Sequence, residues 1–474
     1  MRGRAQFVSI EPRTLFAKLW DQHLVARLNG EDLIAIDRIF LHERTGSVAL
    51  RSLAAADRRV LDPHRVFAVT DHIVDTKAGR TGTLVPGGDV FLTATREETR
   101  AAGIRLFDVD DRDQGIVHVI SPELAIVLPG TTLVCPDSHT CSQGAFGALA
   151  WGIGSTEAEH AMATGTLRLP RPMATRVSFE GALPSGVTAK DMALTLIARY
   201  GAGGGQGHAI EFAGAAVRGL DLEGRLTLCN MATEFGAMSA FIAPDDLVFS
   251  YLEGRRYAPS GAAWRAALAV WAGLKSDEGA VFDREIRIDA SVIAPMVSWG
   301  TSPQSTIGID ALVPRQPESG LDVQGFAQAI AYMGVEPGTR IDDLAIDAAF
   351  IGSCTNGRIA DLRRAAALVK GRKVAPGVHA LVVPGSSAVR RAAEAEGLDQ
   401  LFRDAGFEWR MSGCSLCFYA GGEGFAPGSR VISSTNRNFE GRQGPGIRTH
   451  IASPETVAAS AIAGRIADPR ALVQ

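Results

Sequence analysis

The sequence has few cysteines, few lysines and no strong charge of either sign. Six cysteines in 474 residues are too few for a disulfide scaffold, so the thiols are free for metal binding or catalysis. A formal net charge of -4, with only six lysines, does not indicate a nucleic-acid partner. No apolar run could span a bilayer, and residues 1–10 do not resemble a secretory signal. We therefore expect a cytosolic protein with reduced thiols and no membrane partner.

Length and composition indicate a multidomain globular protein of the α/β class. A chain of 474 residues is too long for one ordinary core, and its 46% hydrophobic and 21% charged content is typical of globular proteins. Short apolar runs alternate with amphipathic segments, as in α/β folds. Pro170 and Pro172 mark one boundary. We predict α/β units at residues 1–172, 173–290 and 291–474.

Histidines and carboxylates recur at the ends of predicted strands. The groups are Asp71 and His72 after a strand at 66–70, His118 within a strand at 115–120, and Asp137 and His139 after a strand at 132–136. Open α/β sheets form their sites at the carboxyl ends of strands. A carboxylate beside an imidazole tunes its pKa for proton transfer. Each group alone is more often a capped turn or a satisfied core residue, and their repetition is what favours a site.

The helical pattern predicts further elements. Helices are expected at 14–29, 144–163 and 226–240, and a closing helix at 453–466 follows a last strand at 429–434. The helix at 226–240 would place Asn230 and Glu234 four residues apart on one face.

Three cysteines have the spacing of a metal site. Cys354 follows a predicted strand, and 59 intervening residues separate it from the pair Cys414 and Cys417. Three thiolates are one ligand short of a closed zinc site or a fully ligated iron–sulfur cluster, which leaves one metal position open for substrate. A redox dithiol is the alternative interpretation of Cys414 and Cys417. The other cysteines lack such spacing and are interpreted as buried, inert thiols: Cys135, Cys141 and Cys229.

Two arginines follow the cysteine pair. Arg437 and Arg442 are flanked by Asn436 and Asn438, and a guanidinium group can bind a carboxylate through two hydrogen bonds. The alternative is a solvated, charged turn. Their position just after the thiols favours a site for an acidic ligand.

These segments together resemble the aconitase superfamily. The most specific motifs are Ile-Gly-Ser-Cys-Thr-Asn at 351–356, Gly-Cys-Ser-Leu-Cys at 413–417 and Asn-Arg-Asn-Phe-Glu-Gly-Arg at 436–442. Further matches are Thr-Asp-His at 70–72, Gly-Ile-Val-His at 115–118, Asp-Ser-His-Thr at 137–140 and Thr-Leu-Cys-Asn-Met at 227–231. The resemblance extends from about Thr14 to Leu472, and within the superfamily the chain closely resembles the large subunits of isopropylmalate dehydratases.

The resemblance implies three α/β/α domains of the aconitase type around a central iron–sulfur site, with the swivel domain absent. It implies one [4Fe–4S] cluster per chain, held by Cys354, Cys414 and Cys417, with one iron not bound by protein. It pairs Asp71 with His72, His118 with Asp137, and His139 with Glu234 as catalytic groups. It also implies a set of substrate-binding residues, with the arginines on substrate carboxylates: Ser138, Asn230, Asn436, Arg437 and Arg442.

The implied activity is that of a hydro-lyase in leucine biosynthesis, which interconverts 2-isopropylmalate and 3-isopropylmalate, both dicarboxylic hydroxy acids, by dehydration and rehydration. A separate small swivel-domain subunit would complete a heterodimer and supply the catalytic base, a serine. The sequence departs from the usual large-subunit pattern at 141–143, 235–242 and 418–423. Another 3-substituted malate, such as citramalate, methylmalate or a secondary-metabolite precursor, is therefore the alternative substrate. Two competing classes of protein are a cluster-free iron or RNA-binding regulator and a structural zinc module.

Overall fold

Short, fully apolar runs form the central strands. The segments Val-Phe-Ala-Val at Val66–Val69 and Ala-Ala-Phe-Ile at Ala348–Ile351 are buried at every position. A strand buried on both faces is typical of a parallel sheet covered by helices. The computed structural model describes residues 11–317 and 321–472, and it places both strands in parallel sheets. The predicted α/β class is thus confirmed.

The strands of the described residues form three parallel sheets and two small antiparallel ones. In chain order they are β1 Leu24–Leu28, β2 Glu31–Ala35, β3 Arg38–His42, β4 Val66–Val69, β5 Arg105–Phe107, β6 Thr132–Cys135, β7 Leu149–Gly152, β8 Thr166–Leu169, β9 Met173–Glu180, β10 His208–Ala213, β11 Ser239–Phe241, β12 Arg284–Asp289, β13 Met296–Ser298, β14 Thr306–Gly308, β15 Ala348–Ile351, β16 His379–Val382, β17 Glu408–Trp409, β18 Arg430–Ser433 and β19 Arg448–Ile451.

The parallel sheets have the orders β5-β4-β3-β6-β7, β11-β10-β9-β12 and β17-β16-β15-β18-β19. The antiparallel sheets are β1-β2-β8 and β13-β14. Each parallel sheet falls within one of the ranges 1–172, 173–290 and 291–474. These domain boundaries stay a prediction, and residues 1–10, 318–320 and 473–474, with the N-terminal segment assessed above for a secretory signal, lie outside the described residues.

The helices of the described residues connect and cover the sheets. They are α1 Leu15–His23, α2 Gly46–Ala55, α3 Gly88–Ala102, α4 Val117–Glu123, α5 Ser155–Thr164, α6 Ala189–Tyr200, α7 Ala215–Arg218, α8 Leu222–Met231, α9 Asp246–Leu252, α10 Gly261–Trp271, α11 Val323–Met333, α12 Ile359–Val369, α13 Ser387–Ala395, α14 Leu398–Ala405 and α15 Pro454–Ala463. Within residues 11–317 and 321–472, none of them combines the length and apolarity needed to cross a bilayer.

The predicted strand at 115–120 is wrong, because His118 lies on helix α4. Gly115 lies two residues before the first residue of the helix, and a Cβ there would lie 2.5 Å from the Cα of Ser386. The backbone N–H of Val117 donates to the Asp71 carboxylate at 2.9 Å. The β-branched residues Ile and Val around His118 favour a strand, but these contacts with residues distant in sequence hold the backbone in a helix.

The single helix predicted at 144–163 is also wrong. The segment contains the end of a 3₁₀ segment at Ser138–Phe146, then β7, then α5. Gly147 has φ of 71° and ends the 3₁₀ segment. Gly144 approaches the backbone so closely that a Cβ would lie 1.7 Å from the Ala240 carbonyl oxygen. The glycines are therefore explained by a turn at Gly147 and a close backbone contact at Gly144, and not by a tightly packed helix.

Other helices are shorter than predicted. The helix predicted at 14–29 ends at His23, and β1 follows. The helix predicted at 226–240 ends at Met231, so Glu234 lies on the 3₁₀ turn Ala232–Phe235 rather than on the helix with Asn230. The strand predicted as last, at 429–434, is followed by β19, and α14 was not predicted.

His450 on β19 is a buried histidine that should make the chain less stable in acid. Its ring lies 2.7 Å from the Ser298 carbonyl oxygen and 2.9 Å from Arg430 Nη1. Burial, with the nearby Arg430 charge, lowers the His450 pKa to about 3. The unfolded chain takes up this proton near pH 6.5 while the folded chain does not, so stability present above pH 6.5 is lost as the pH falls.

We expect the free energy of unfolding to fall by about 2 kcal/mol between pH 7 and pH 5 from this group alone. Urea unfolding at the two pH values measures it. His450→Gln should flatten the difference, whereas the exposed His160→Gln should not. Equal pH dependence in wild type and His450→Gln would contradict the prediction.

Candidate active site

Most of the predicted site residues follow strands of the first and third parallel sheets, whereas His118, Asn230 and Glu234 lie on α4, α8 and the 3₁₀ turn Ala232–Phe235. Asp71 and His72 directly follow β4, and the segment Asp137–His139 follows β6. Cys354 comes after β15, and Cys414 follows β17 at the same edge of its sheet. The two edges meet, because the backbone N–H of Cys414 donates to the Asp71 carbonyl at 2.9 Å. The site is thus formed between two sheets from opposite halves of the chain.

A cavity of about 240 Å³ lies between these edges. It is lined by the three cysteines and by His72, Asp137, Ser138, His139, Arg437 and Arg442. The other predicted residues contact this lining: Asp71, His118, Asn230, Glu234 and Asn436. All sequence-predicted site residues are therefore brought together.

The three cysteines converge as buried thiols. Cys354, Cys414 and Cys417 are 4%, 2% and 6% exposed, and none forms a disulfide. Cys417 accepts a hydrogen bond from the Cys414 thiol, which lowers the Cys417 pKa to about 5 against the effect of burial. Ser353 and Ser415, each next to a ligand candidate, have φ of 83° and 46°. Such left-handed conformations at non-glycine residues are found at functional sites.

Side-chain N–H groups approach the sulfur atoms. Asn230 Nδ2 lies 3.3 Å from Cys354 Sγ, and Asn436 Nδ2 lies 3.6 Å from the same atom. Arg442 Nη2 lies 3.7 Å from Cys417 Sγ. Donors facing sulfur stabilise thiolates and tune an iron–sulfur cluster. The donor set of three thiols and surrounding N–H groups fits such a cluster.

Asp137 is the centre of the histidine network. Its Oδ2 lies 3.0 Å from His72 Nε2, and its Oδ1 lies 3.1 Å from His118 Nε2. His139 donates its backbone N–H to Oδ1 at 2.7 Å. Burial alone would raise the Asp137 pKa, but the charge and hydrogen bonds of these histidines hold it well below its ordinary value. One carboxylate is thus in contact with all three histidines.

The surroundings of two histidines favour the protonated form of the imidazole. Burial opposes a proton on His72, yet the negative charge of Asp71 and the hydrogen bond to Asp137 raise its pKa well above the ordinary value. Burial likewise opposes a proton on His139, but hydrogen bonds to Asp137 and Glu234 raise its pKa. Such imidazolium groups can donate a proton to a leaving oxygen.

Arg437 belongs to the same network through Glu234. Glu234 Oε1 lies 2.9 Å from His139 Nε2 and 2.7 Å from Arg437 Nε. Arg437 Nη1 also donates to Ser138 Oγ at 2.9 Å. Burial would raise the Glu234 pKa, but the hydrogen bond from His139 and the two positive charges lower it. Glu234 is therefore an anion that orients both a histidine and an arginine.

Sequence reasoning missed Glu43 and His42 at the end of β3. The Glu43 carboxylate accepts the backbone N–H groups of Asp71, His72 and Ile73 at 3.1, 2.7 and 2.7 Å. The His42 ring stacks on the His72 ring with centroids 4.3 Å apart. Their position after a strand was the only available signal, and it was shared with many other polar residues.

Lys190 on α6 was also missed. It is completely buried, and its Nζ donates to the Ser434 carbonyl at 2.9 Å and to Asn356 Oδ1 at 3.3 Å. Burial lowers the Lys190 pKa to about 7. Lys190 thereby connects the turn that contains Cys354 with the loop that precedes Arg437. A lone lysine in the sequence gives no signal for this role.

The fold and the cavity define an α/β enzyme that combines a thiol site with an acid–base network. The aconitase family (aconitate hydratase) matches residues 17–464. The chain is 51% identical over 475 aligned residues to 3-isopropylmalate dehydratase large subunit 1 of Bradyrhizobium diazoefficiens, covering 100% of this chain and 99% of that protein. The crystal structure of Thermococcus kodakaraensis aconitase X in its holo form aligns with a TM-score of 0.44 and 12% identity, covering 86% of this chain and 84% of that one.

The chain belongs to the aconitase family. It is accordingly a hydro-lyase, and the resemblance inferred from the sequence motifs is confirmed.

Proposed function

We propose that this chain is the large catalytic subunit of a cytosolic, two-subunit hydro-lyase that interconverts 2-isopropylmalate and 3-isopropylmalate in leucine biosynthesis. The full-length identity to a 3-isopropylmalate dehydratase large subunit supports this substrate. The observation that carries the chemistry is the cavity in which three buried thiols face the histidines around Asp137. Groups suited to proton transfer and groups suited to metal binding thus line the same cavity.

Cys354, Cys414 and Cys417 would hold one [4Fe–4S] cluster per chain, with one iron not bound by protein. Members of the aconitase family generally use such a cluster. The buried thiols and the N–H groups of Asn230 and Asn436 near Cys354 support this assignment. When bound, the cluster supplies a Lewis acid for the substrate hydroxyl.

The chain's own residues bind the substrate and move protons. We assign the catalytic groups to the imidazole–carboxylate network of Asp71, His72, His118, Asp137, His139 and Glu234. His72 and His139, whose pKa values are raised, can donate a proton to the leaving hydroxyl oxygen. We assign substrate binding to Ser138, Asn230, Asn436, Arg437 and Arg442, since guanidinium groups bind carboxylates.

A separate small subunit is proposed to provide the base, a serine, that removes the proton from carbon. The similarity to a protein described as a large subunit supports such a partner. Arg44 and Phe439 are exposed beside Phe418 and Arg442, so this side of the site is accessible to a second protein.

Activity should therefore require both subunits. The chain, reconstituted with iron and sulfide under anaerobic conditions, should show less than about 1% of the 3-isopropylmalate dehydration rate reached after adding the small subunit of a 3-isopropylmalate dehydratase. Formation of the unsaturated acid, followed by absorbance, measures the rate. A single chain as active as the mixture would contradict the proposal.

Phe418 favours a second candidate, a related hydro-lyase for another 3-substituted malate such as citramalate, methylmalate or a secondary-metabolite precursor. Its ring lines the cavity and lies 5.8 Å from the His72 ring, in the segment that departs from the usual pattern. Rates with 3-isopropylmalate, citramalate and 3-methylmalate separate the candidates. A marked preference for 3-isopropylmalate would eliminate the second.

A further inference from the structure

Arg44 is an arginine of the cavity wall that the site described above does not use. It lies two residues after the end of β3 and lines the same cavity as the three cysteines. Its side chain is exposed, and its guanidinium carbon lies 4.7 Å from the centroid of the Phe418 ring. Among the described residues it has neither a hydrogen bond nor an ion pair through its guanidinium group.

The backbone around Arg44 is fixed relative to the acid–base groups. The preceding residue, Glu43, accepts the backbone N–H of His72 at 2.7 Å, and the ring of His42 stacks on the His72 ring. These contacts of the two preceding residues hold the Arg44 backbone in position relative to His72. Stacking on Phe418 further restricts the guanidinium group and leaves its N–H edge free to bind an anion.

The arginines of the cavity differ in what balances their charge. Arg437 is paired with Glu234 at 2.7 Å and hydrogen-bonded to Ser138. Arg442 has no carboxylate partner in the described part of the chain, and its guanidinium carbon lies 5.7 Å from the same Phe418 ring. Arg44 and Arg442 are thus two cations beside one aromatic ring, without carboxylates of their own.

A malate-type substrate brings two carboxylates into this cavity. We propose that Arg44 binds one substrate carboxylate and Arg442 the other, while Phe418 holds both guanidinium groups in place. Arg437, whose charge is already balanced by Glu234, would support one of these two carboxylate contacts. This assignment rests on the proposed function and defines the ligand as a dicarboxylate with both groups ionised.

The test uses the cluster-loaded, two-subunit enzyme with Arg44→Met and Arg44→Lys. Loss of one charge-assisted contact should raise the KM for 3-isopropylmalate about 10- to 100-fold in Arg44→Met, with kcat changed less than about threefold. Arg44→Lys should recover part of the loss, since lysine keeps the charge without the planar fork. The control is Arg265→Met, an exposed arginine on α10 outside the cavity.

A binding experiment separates this proposal from the proposed function. Isopropylsuccinate has both carboxylates but no hydroxyl group to eliminate, so calorimetry with the cluster-loaded enzyme reports binding even if no malate is turned over. Its Kd should rise about 10- to 100-fold in Arg44→Met. An unchanged Kd, or a loss confined to the affinity between the two subunits, would overturn the role of Arg44. Inactivity of the wild-type enzyme with isopropylmalate would contradict only the proposed function.

Discussion

Cys354→Ser should yield a folded chain that no longer holds a complete cluster. Wild-type protein reconstituted under anaerobic conditions should contain about four irons per chain. In the variant, serine keeps the size of the side chain but removes a thiolate ligand, so iron and the brown absorbance should be largely lost. Dehydration of 3-isopropylmalate should fall about 10³-fold or more, because Lewis-acid catalysis contributes several kcal/mol.

Cys135→Ala is the matched control for this loss. Cys135 is also a completely buried thiol, but it lies within β6 and outside the cavity. The variant should keep its iron and most of its activity. Iron analysis and circular dichroism of both variants distinguish loss of a ligand from loss of fold. A Cys354→Ser protein with a full iron complement would refute the ligand assignment.

Asp137→Asn should lower kcat about 10³-fold while leaving the iron content unchanged. Asparagine keeps the shape of the side chain but removes the negative charge shared by His72, His118 and His139. Because Asp137 raises the pKa values of His72 and His139, both should fall in the variant. The histidines then lose their protons at a lower pH. The decrease in the residual rate on the alkaline side of the pH profile should therefore move to lower pH.

Steady-state kinetics between pH 5.5 and 9 with the two-subunit enzyme measure both effects. Asp110→Asn provides a control, because Asp110 is an exposed aspartate. An unshifted pH profile together with a reduced kcat would mean that Asp137 has only a structural role. Iron loss in Asp137→Asn would also disprove the assignment, because the prediction separates the acid–base network from the cluster ligands.

The sequence allowed prediction of the parts of the structure that depend on local composition. The runs Val66–Val69 and Ala348–Ile351 are apolar throughout, which favours strands buried on both faces. The three cysteines were found by spacing, and the family motifs supplied the partners of the histidines. Polar groups after strands indicated the correct edge of the sheets.

Elements fixed by distant contacts could not be predicted in this way. The segment around His118 is helical because Val117 donates to Asp71 and Gly115 packs on Ser386, and neither contact is local in sequence. The charge of Arg437 is balanced by Glu234, which only the folded chain brings within 2.7 Å. The roles of Glu43 and Lys190 likewise depend on backbone groups of other segments, which carry no side-chain signal.

The proposed cluster would lie where two sheet edges meet, so its insertion would depend on completed folding of both halves of the chain. All three thiols belong to residues 354–417, but groups from the other half of the chain surround them: the Asp71 carbonyl that receives the Cys414 N–H and the Asn230 amide at Cys354. A chain with its halves apart would present the same cysteines without these contacts, in a solvent-exposed state prone to oxidation. Stable cluster insertion would thus select for chains that have completed their assembly.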